Sequence, residues 1–326
     1  MKGNMATATE KEERGWQQIL RENMMSPVDI CRICGLADEE LAKITALYPV
    51  KINRNLNNSS EAVMKQFLPS LFELNNTGED DPLAEVKYEK VSGIIHRYPN
   101  RVLFLVTNIC ASYCRFCTRR RLVGKQAGLN DRKIAAGIKY IADHEEIDEV
   151  ILSGGDPLIL SDVKLKNILT ALRAIPHIGP IRVSTRTPVA LPERITGALI
   201  EMLQQFHPLY LITQINHPDE LTAKSDAAIA GLVVHGISVL NQSVLLKGVN
   251  DQCEIMLRLV KKLIERRVRP YYLHQMDPAR GTLHFRVPVK KGKEIITYLR
   301  ENIGGYAVPY YVFDDPQQKA KTLLYP

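Results

Sequence analysis

Three cysteines, Cys110, Cys114 and Cys117, stand at C-x3-C-x2-C spacing directly after the apolar run Val102 to Val106. Thiolates ligate iron–sulfur clusters and zinc, and both centres ordinarily take four ligands. Three cysteines with no fourth in the same loop point to a cluster that keeps one iron open for a small molecule. A structural zinc completed by a distant Cys or His would use the same residues, as would three reduced core thiols. A second chemistry-bearing stretch is Ser153-Gly154-Gly155-Asp156-Pro157. Its glycines permit close backbone approach to a ligand, and free N–H groups beside a carboxylate suit a zwitterion. A tight strand-to-helix turn capped by Asp would have the same sequence. Beside a cysteine loop one strand earlier, the ligand reading is the stronger.

The elements around these residues show a clear rhythm. From about Arg101, short apolar runs alternate with amphipathic segments. Strands are predicted at Val102–Val106, Glu149–Ser153, Ile181–Thr185, Leu209–Ile215, Ile237–Leu246 and Pro270–Gln275. Between them, Ile134, Ile138 and Ile141 line one helical face, and Met256, Leu259, Val260 and Leu263 line another. Strand–helix units of this kind build a parallel sheet covered by helices, either a partial (β/α) barrel or a doubly wound sheet. In both, ligands bind at the carboxyl ends of the strands. The cysteines, Asp156, the stretch Asn241-Gln242-Ser243 and Asp277 all fall at or near those ends.

Residues 1–90 read as helical, with helices expected at Glu10–Glu22, Asp38–Tyr48 and Ser59–Leu74, the last opening on a Ser59-Ser60 cap. Cys31-x-x-Cys34 has neither a second pair nor a nearby His, so it reads as structural. Asn75–Pro82 reads as a turn-rich linker. At 326 residues, 45% hydrophobic and 24% charged, the chain has ample core. No apolar run approaches the roughly 20 residues of a membrane span, and Met1 to Arg14 has no signal-peptide h-region. The net charge of +7 is scattered apart from Arg119–Arg121, which argues against nucleic-acid binding. Six cysteines in such a chain suit a reducing cytoplasm.

Together, the cysteine loop and the Gly-Gly-Asp turn resemble the radical S-adenosylmethionine superfamily. Wider matches resemble its lysine 2,3-aminomutase family: His96-Arg-Tyr-Pro-Asn-Arg101, Cys110 to Arg121, Gly154 to Leu158, Asn216-His-Pro218, Asn241 to Asp251 and Arg269-Pro-Tyr-Tyr272. They cover nearly all of the chain after about residue 70. The resemblance implies an α/β fold, a partial (β/α)6 TIM-like barrel with a helical N-terminal region. Residues 1–90 would be that region, 91–300 the barrel, and 301–326 a C-terminal segment carrying a cofactor lysine.

The resemblance also implies a [4Fe–4S] cluster on Cys110, Cys114 and Cys117, its open iron chelated by S-adenosylmethionine. Gly154, Gly155 and Asp156 match the turn that receives the methionine amino group, and Gln242 a polar residue near it. Pyridoxal 5′-phosphate is the second implied cofactor, its phosphate on Arg97, Tyr98 and Arg101 and its Schiff base on Lys321. Gln317, Gln318, Lys319 and Ala320 stand where relatives have glycines, so Lys319 competes with Lys321. Arg119 matches the residue for the substrate carboxylate, and Asp277 and Asp314 match the pair for the ε-ammonium of lysine, with Asp315 able to replace Asp314. Gln214 replaces a frequent His, and Cys253, without the zinc-binding tail of some relatives, is expected to be a buried helix thiol.

The implied reaction moves the amino group of L-lysine from C2 to C3, giving β-lysine, after a deoxyadenosyl radical removes a hydrogen from C3. A small-molecule amino acid substrate, a one-electron reductant such as flavodoxin or ferredoxin and a homo-oligomer are implied. Relatives modifying a lysine of elongation factor P share the His274-x-x-Asp277 pattern. Arginine would also suit two carboxylates, whereas glutamate would require a cation or amide there. A metal or iron–sulfur protein without radical chemistry is the non-enzyme alternative.

Overall fold

The computed structural model describes residues 8–56, 59–75, 77–125 and 130–325. The strand–helix rhythm builds one ten-stranded sheet whose strands follow each other in sequence order. They are β1 (Glu89–Val91), β2 (Ile94–Tyr98), β3 (Arg101–Thr107), β4 (Glu149–Gly154), β5 (Ile181–Thr185), β6 (Leu209–Thr213), β7 (Ser238–Leu245), β8 (Arg269–Gln275), β9 (Tyr310–Phe313) and β10 (Thr322–Tyr325). From β3 to β9 every neighbouring pair is parallel. The first three strands are joined antiparallel, as are β9 and β10. No pairing joins β1 to β10 among the described residues, so the sheet curls into an open, partial barrel.

The helices are α1 (Ala8–Glu22), α2 (Pro27–Cys34), α3 (Asp38–Leu47), α4 (Glu61–Met64), α5 (Glu85–Tyr88), α6 (Asp131–Ala142), α7 (Asp162–Arg173), α8 (Thr187–Ala190), α9 (Gly197–Leu203), α10 (Ala223–Val234), α11 (Cys253–Glu265) and α12 (Val289–Asn302). The predicted stripe of α11, Met256, Leu259, Val260 and Leu263, is buried as its spacing requires. Strand side chains alternate between two faces. Val102, Phe104, Val150, Leu152, Val183 and Leu211 join the core under the helices. Their neighbours Leu103, Ile151, Arg182, Ser184, Tyr210 and Ile212 line the barrel interior.

Three differences from the sequence reading have physical causes. The helix expected over Ser59–Leu74 is two pieces, α4 and a 3-10 turn at Leu71–Leu74. Pro69 between them has no N–H to donate and disfavours helical backbone at Leu68. Ser60 rather than Ser59 is the cap position, and its side chain makes no capping bond. His96–Arg101 is a hairpin in which Tyr98 pairs with Arg101, and β9 extends the six expected strands. Both had too many polar or aromatic residues to read as apolar runs. Part of the amino-terminal reading (residues 1–7) and residue 76 of the expected linker lie outside the described residues. Among the described residues no helix is long and apolar enough to cross a membrane.

The amino-terminal helices buttress the cysteine loop. Ile30, Cys31, Leu41 and Phe67 form a satellite core against which Cys114 packs. Buried Glu73 accepts from Arg115 Nε at 2.9 Å, Arg115 Nη2 at 2.6 Å and Arg120 Nη2 at 2.6 Å. Both guanidiniums lie over the Tyr48 ring, 4.4 and 4.5 Å from its centroid. A buried carboxylate held by two cations fixes one geometry rather than adding much net stability.

Candidate active site

A cavity of about 1090 Å³ runs through the barrel interior. The cysteines border it past the end of β3, and the hairpin residues Arg97, Tyr98 and Arg101 border it near the start of β3. Between Arg101 and Thr107 the strand rises about 20 Å, so the cavity has two distinct ends.

At the thiol end, Cys114 Sγ accepts from Arg186 Nη1 at 2.8 Å. Arg186 is itself held by Glu220 at 2.7 Å and by the Gln66 side-chain oxygen at 2.6 Å. Burial pushes the Cys117 thiol up to about 11, and burial with the nearby Asp156 charge pushes the Cys110 thiol well above its ordinary value. Buried thiolates need positive charge beside them. A cationic metal centre supplies it, so the donor set fits a cluster.

The Gly-Gly-Asp turn is stitched to this loop. Gly155 N donates to Thr107 O at 2.6 Å and Asp156 N donates to Ile109 O at 2.8 Å. A Cβ on Gly154, whose φ is +123°, would fall 2.1 Å from Thr107 O, and one on Gly155 would fall 2.3 Å from Ile109 O. The glycines therefore allow two backbones to touch. Asp156 accepts from Thr185 Oγ1, Arg186 N, Thr187 N and Leu158 N. Its carboxylate fastens the end of β5 to the turn. Gln242, from β7, lines the cavity, and its Oε1 lies 3.2 Å from His274 Nε2.

Past the carboxyl ends of β8 and β9, on the same side of the sheet as the cysteines, stands an ionic cluster. Arg97 Nη1 donates to Asp314 Oδ1 at 2.7 Å, and Lys321 Nζ pairs with the other oxygen of Asp314. Lys321 is half-buried and lines the cavity, whereas Lys319 is exposed. Asp277 Oδ1 is buried without a hydrogen-bond partner, and burial with the nearby Asp314 charge raises this carboxyl to about 7. An orphaned buried carboxyl oxygen fits a cationic ligand group. Arg119 gives Nε to Glu85 at 2.6 Å and Nη1 to Ser153 Oγ at 3.1 Å. Arg101 lies 4.0 Å over the Tyr98 ring, and buried Tyr98 Oη has no hydrogen-bond partner among the described residues.

All the side chains singled out for cofactors or substrate thus border one cavity, as does Gln214. Cys253 differs from expectation. It is the half-exposed first residue of α11 and borders a surface groove with Lys290 and Tyr325. Sequence reasoning missed Arg186, Glu85 and Glu220. Arg186 follows a parallel strand as the cysteines do, so its position alone was a usable signal. Glu85 carried none. Glu220 accepts from Asn216 N and His217 N, both at 2.9 Å, which makes the Asn-His-Pro stretch the frame for Arg186.

Fold and site together define a radical S-adenosylmethionine barrel, and residues 104–260 match the description Radical SAM superfamily. The barrel superposes on Streptococcus suis SuiB bound to S-adenosylmethionine with a TM-score of 0.50 at 15% identity, over 71% of this chain and 53% of that one. Within the superfamily, the chain belongs to the lysine 2,3-aminomutase family. It is 41% identical to the L-lysine 2,3-aminomutase of Fusobacterium nucleatum, over 98% of this chain and 78% of that protein. It is 46% identical to the enzyme of that name from Clostridium subterminale, over 83% of this chain and 66% of that protein.

Proposed function

We propose that this protein is an S-adenosylmethionine- and pyridoxal-phosphate-dependent isomerase that moves the amino group of L-lysine from C2 to C3. The observation that carries the reading is Asp277 with its orphaned oxygen, beside Asp314 and Lys321, in the cavity the three thiols border. When bound, a [4Fe–4S] cluster on Cys110, Cys114 and Cys117 would supply the one electron that cleaves S-adenosylmethionine to methionine and a 5′-deoxyadenosyl radical, and pyridoxal phosphate on Lys321 would supply a conjugated system that delocalises an unpaired electron.

The chain's own residues bind, orient and exclude water. Asp277 and Asp314 hold the side-chain ammonium of lysine, since a buried cation needs buried anions. Glu85 and Ser153 fix the Arg119 fork for the substrate carboxylate. Arg186 steadies Cys114. Leu103, Ile151, Ile212 and Met276 keep the walls apolar, which shields a reactive species from solvent.

Residues 1–90 serve as the buttress, 91–300 as the barrel and 301–326 as the segment that brings Lys321 to the cavity. A flavodoxin- or ferredoxin-type reductant, a homo-oligomeric state and a reducing cytoplasm complete the proposal. The test is anaerobic reconstitution with iron, sulfide, S-adenosylmethionine and pyridoxal phosphate, then lysine, arginine, glutamate and elongation factor P assayed side by side. β-Lysine from free lysine is expected. Turnover of the translation factor alone, or no reductive cleavage of S-adenosylmethionine, would sink the reading.

A further inference from the structure

The stretch expected as a turn-rich linker grips two loops of the site. On one side it meets the loop after β8, which begins near Asp277, and Glu79 pairs there in parallel with Ala279. Glu79 N donates to Pro278 O at 2.7 Å, Arg280 N to Glu79 O at 2.9 Å and Gly281 N to Thr77 O at 3.0 Å. Asp80 accepts from Arg280 Nε at 2.6 Å. Gly78, with φ +103°, lets the two backbones touch, since a Cβ there would fall 2.7 Å from the carbonyl oxygens of Pro278 and Ala279.

The residues that follow grip the cysteine loop instead. Asp81 pairs with Arg121 at 2.9 Å and accepts from Val86 N at 2.8 Å. Buried Glu85 pairs with Arg119 at 2.6 Å and with Arg121 at 3.4 Å. Just before it, Ala84 holds left-handed backbone, φ 51° and ψ 36°. A residue with a Cβ keeps that conformation only where its surroundings over-determine it. The two grips meet between Asp80 and Asp81, with no slack residue between them.

We infer that residues 77–85 are a strap that fixes the distance from Arg119 to Asp277 and so selects a free α,ω-diamino acid of one chain length. The ligand that spans this distance, a carboxylate at Arg119 and a terminal ammonium at Asp277, rests on the proposed function. The mechanical coupling of the two loops does not. A ligand charge is rewarded only where it meets its partner, and a charge buried without one is costly. A substrate one methylene too short or too long therefore leaves one end unpaired. A lysine within a polypeptide carries an amide in place of the carboxylate and leaves Arg119 idle.

Two glycines inserted between Asp80 and Asp81 lengthen the strap and leave both grips in place. In reconstituted full-length enzyme, kcat/KM is measured for ornithine, lysine and homolysine, alongside iron content, pyridoxal phosphate uptake and amide exchange. The wild type should favour lysine over either homologue about 10- to 200-fold, the worth of one methylene. The lengthened strap should narrow that preference to within about threefold, with both cofactors retained. Glu85→Gln should speed exchange of the 279–281 amides at least about tenfold on the normal strap and change it less than about threefold on the lengthened one. If the insertion costs the protein its cofactors, Gly78→Ala strains the same contact and should narrow the preference likewise. A full preference for lysine in the altered strap, or exchange at 279–281 indifferent to Glu85→Gln, overturns the inference. Wild-type enzyme that turns over none of the three amino acids defeats the proposed function instead, and the strap is then judged on exchange alone.

Discussion

Asp277 and Asp314 border the same cavity from beyond the ends of β8 and β9, and their carboxyls titrate in opposite directions. Burial, then the negative charge of Asp314, raises Asp277 to about 7. Burial acts on Asp314 as well, but Lys321 and Arg97 outweigh it and hold that carboxyl below the usual range. One member of the pair is charged before the substrate arrives. The other is charged ahead of the substrate only above about pH 7.

This difference sets a pH dependence. Below about 7, Asp277 must release a proton to receive an ammonium, so KM for lysine should rise about tenfold per pH unit there. Asp277→Asn should show a high KM with no such slope. A raised carboxyl stabilises the fold below its unfolded pKa of about 4, and that contribution is lost as pH rises through the folded value. Asp277→Asn should therefore raise Tm by several degrees at pH 8 and hardly change it at pH 4. A flat KM profile in the wild-type enzyme would remove Asp277 from the substrate site.

Covalent labelling separates the two neighbouring lysines. Lys321 borders the cavity and pairs with Asp314, while Lys319 is exposed. Borohydride reduction of the pyridoxal-loaded protein, followed by peptide mapping, should place the label on Lys321. Label on Lys319 would show that the Gln317–Ala320 stretch has moved the attachment point.

The glycine turn makes a prediction about folding rather than affinity. Gly154→Ala and Gly155→Ala force a Cβ to within 2.1 and 2.3 Å of the backbone of Thr107 and Ile109. Each should cost about 3 kcal/mol or more and lower the iron retained, with no rescue by excess S-adenosylmethionine. Gly197→Ala, where a Cβ meets nothing within 4 Å, is the control and should be neutral or slightly stabilising. Thermal melts and iron analysis of the three variants decide it.

Arg186 offers a test of tuning at the sulfur. Hydrogen bonds to cluster sulfur are among the factors that set the reduction potential, and removing a donor disfavours the added electron. Arg186→Met should lower the midpoint measured by spectroscopic redox titration. Alone it also leaves Glu220 without its cation, a loss of about 3–5 kcal/mol. Adding Glu220→Gln should recover stability but not the potential. A double variant with the wild-type midpoint would mean that the bond at 2.8 Å is structural only.

Much of this was legible in the residues themselves. Apolar runs such as Val102–Val106 announce strands because both faces are covered, and Cys110 and Asp156 are visible because chemistry gathers at strand ends. The family motifs add Arg97, Lys321 and the acidic pair, none of which has a local pattern. What stayed hidden depends on tertiary distance. Glu85 reaches Arg119 across 34 residues, and Glu220 reaches Arg186 across the same interval. Asp156 also bonds to the end of β5, a partner no local spacing announces, because a short carboxylate in a turn can reach the backbone amides of the next strand. Pro69 broke a helix that periodicity alone would have continued.

The cysteine loop and the lysine of the site draw on unequal parts of the sheet. The cysteine loop leaves β3, which has β2 on one side and β4 on the other. Lys321 stands at the root of β10, a marginal strand with β9 as its single neighbour among the described residues. Margins fray at far lower free energy than interiors. Mild chaotrope should strip the vitamin-derived cofactor while the inorganic one stays in place. That outcome would divide the chemistry between a part of the molecule that opens only when everything opens and a part that comes loose alone.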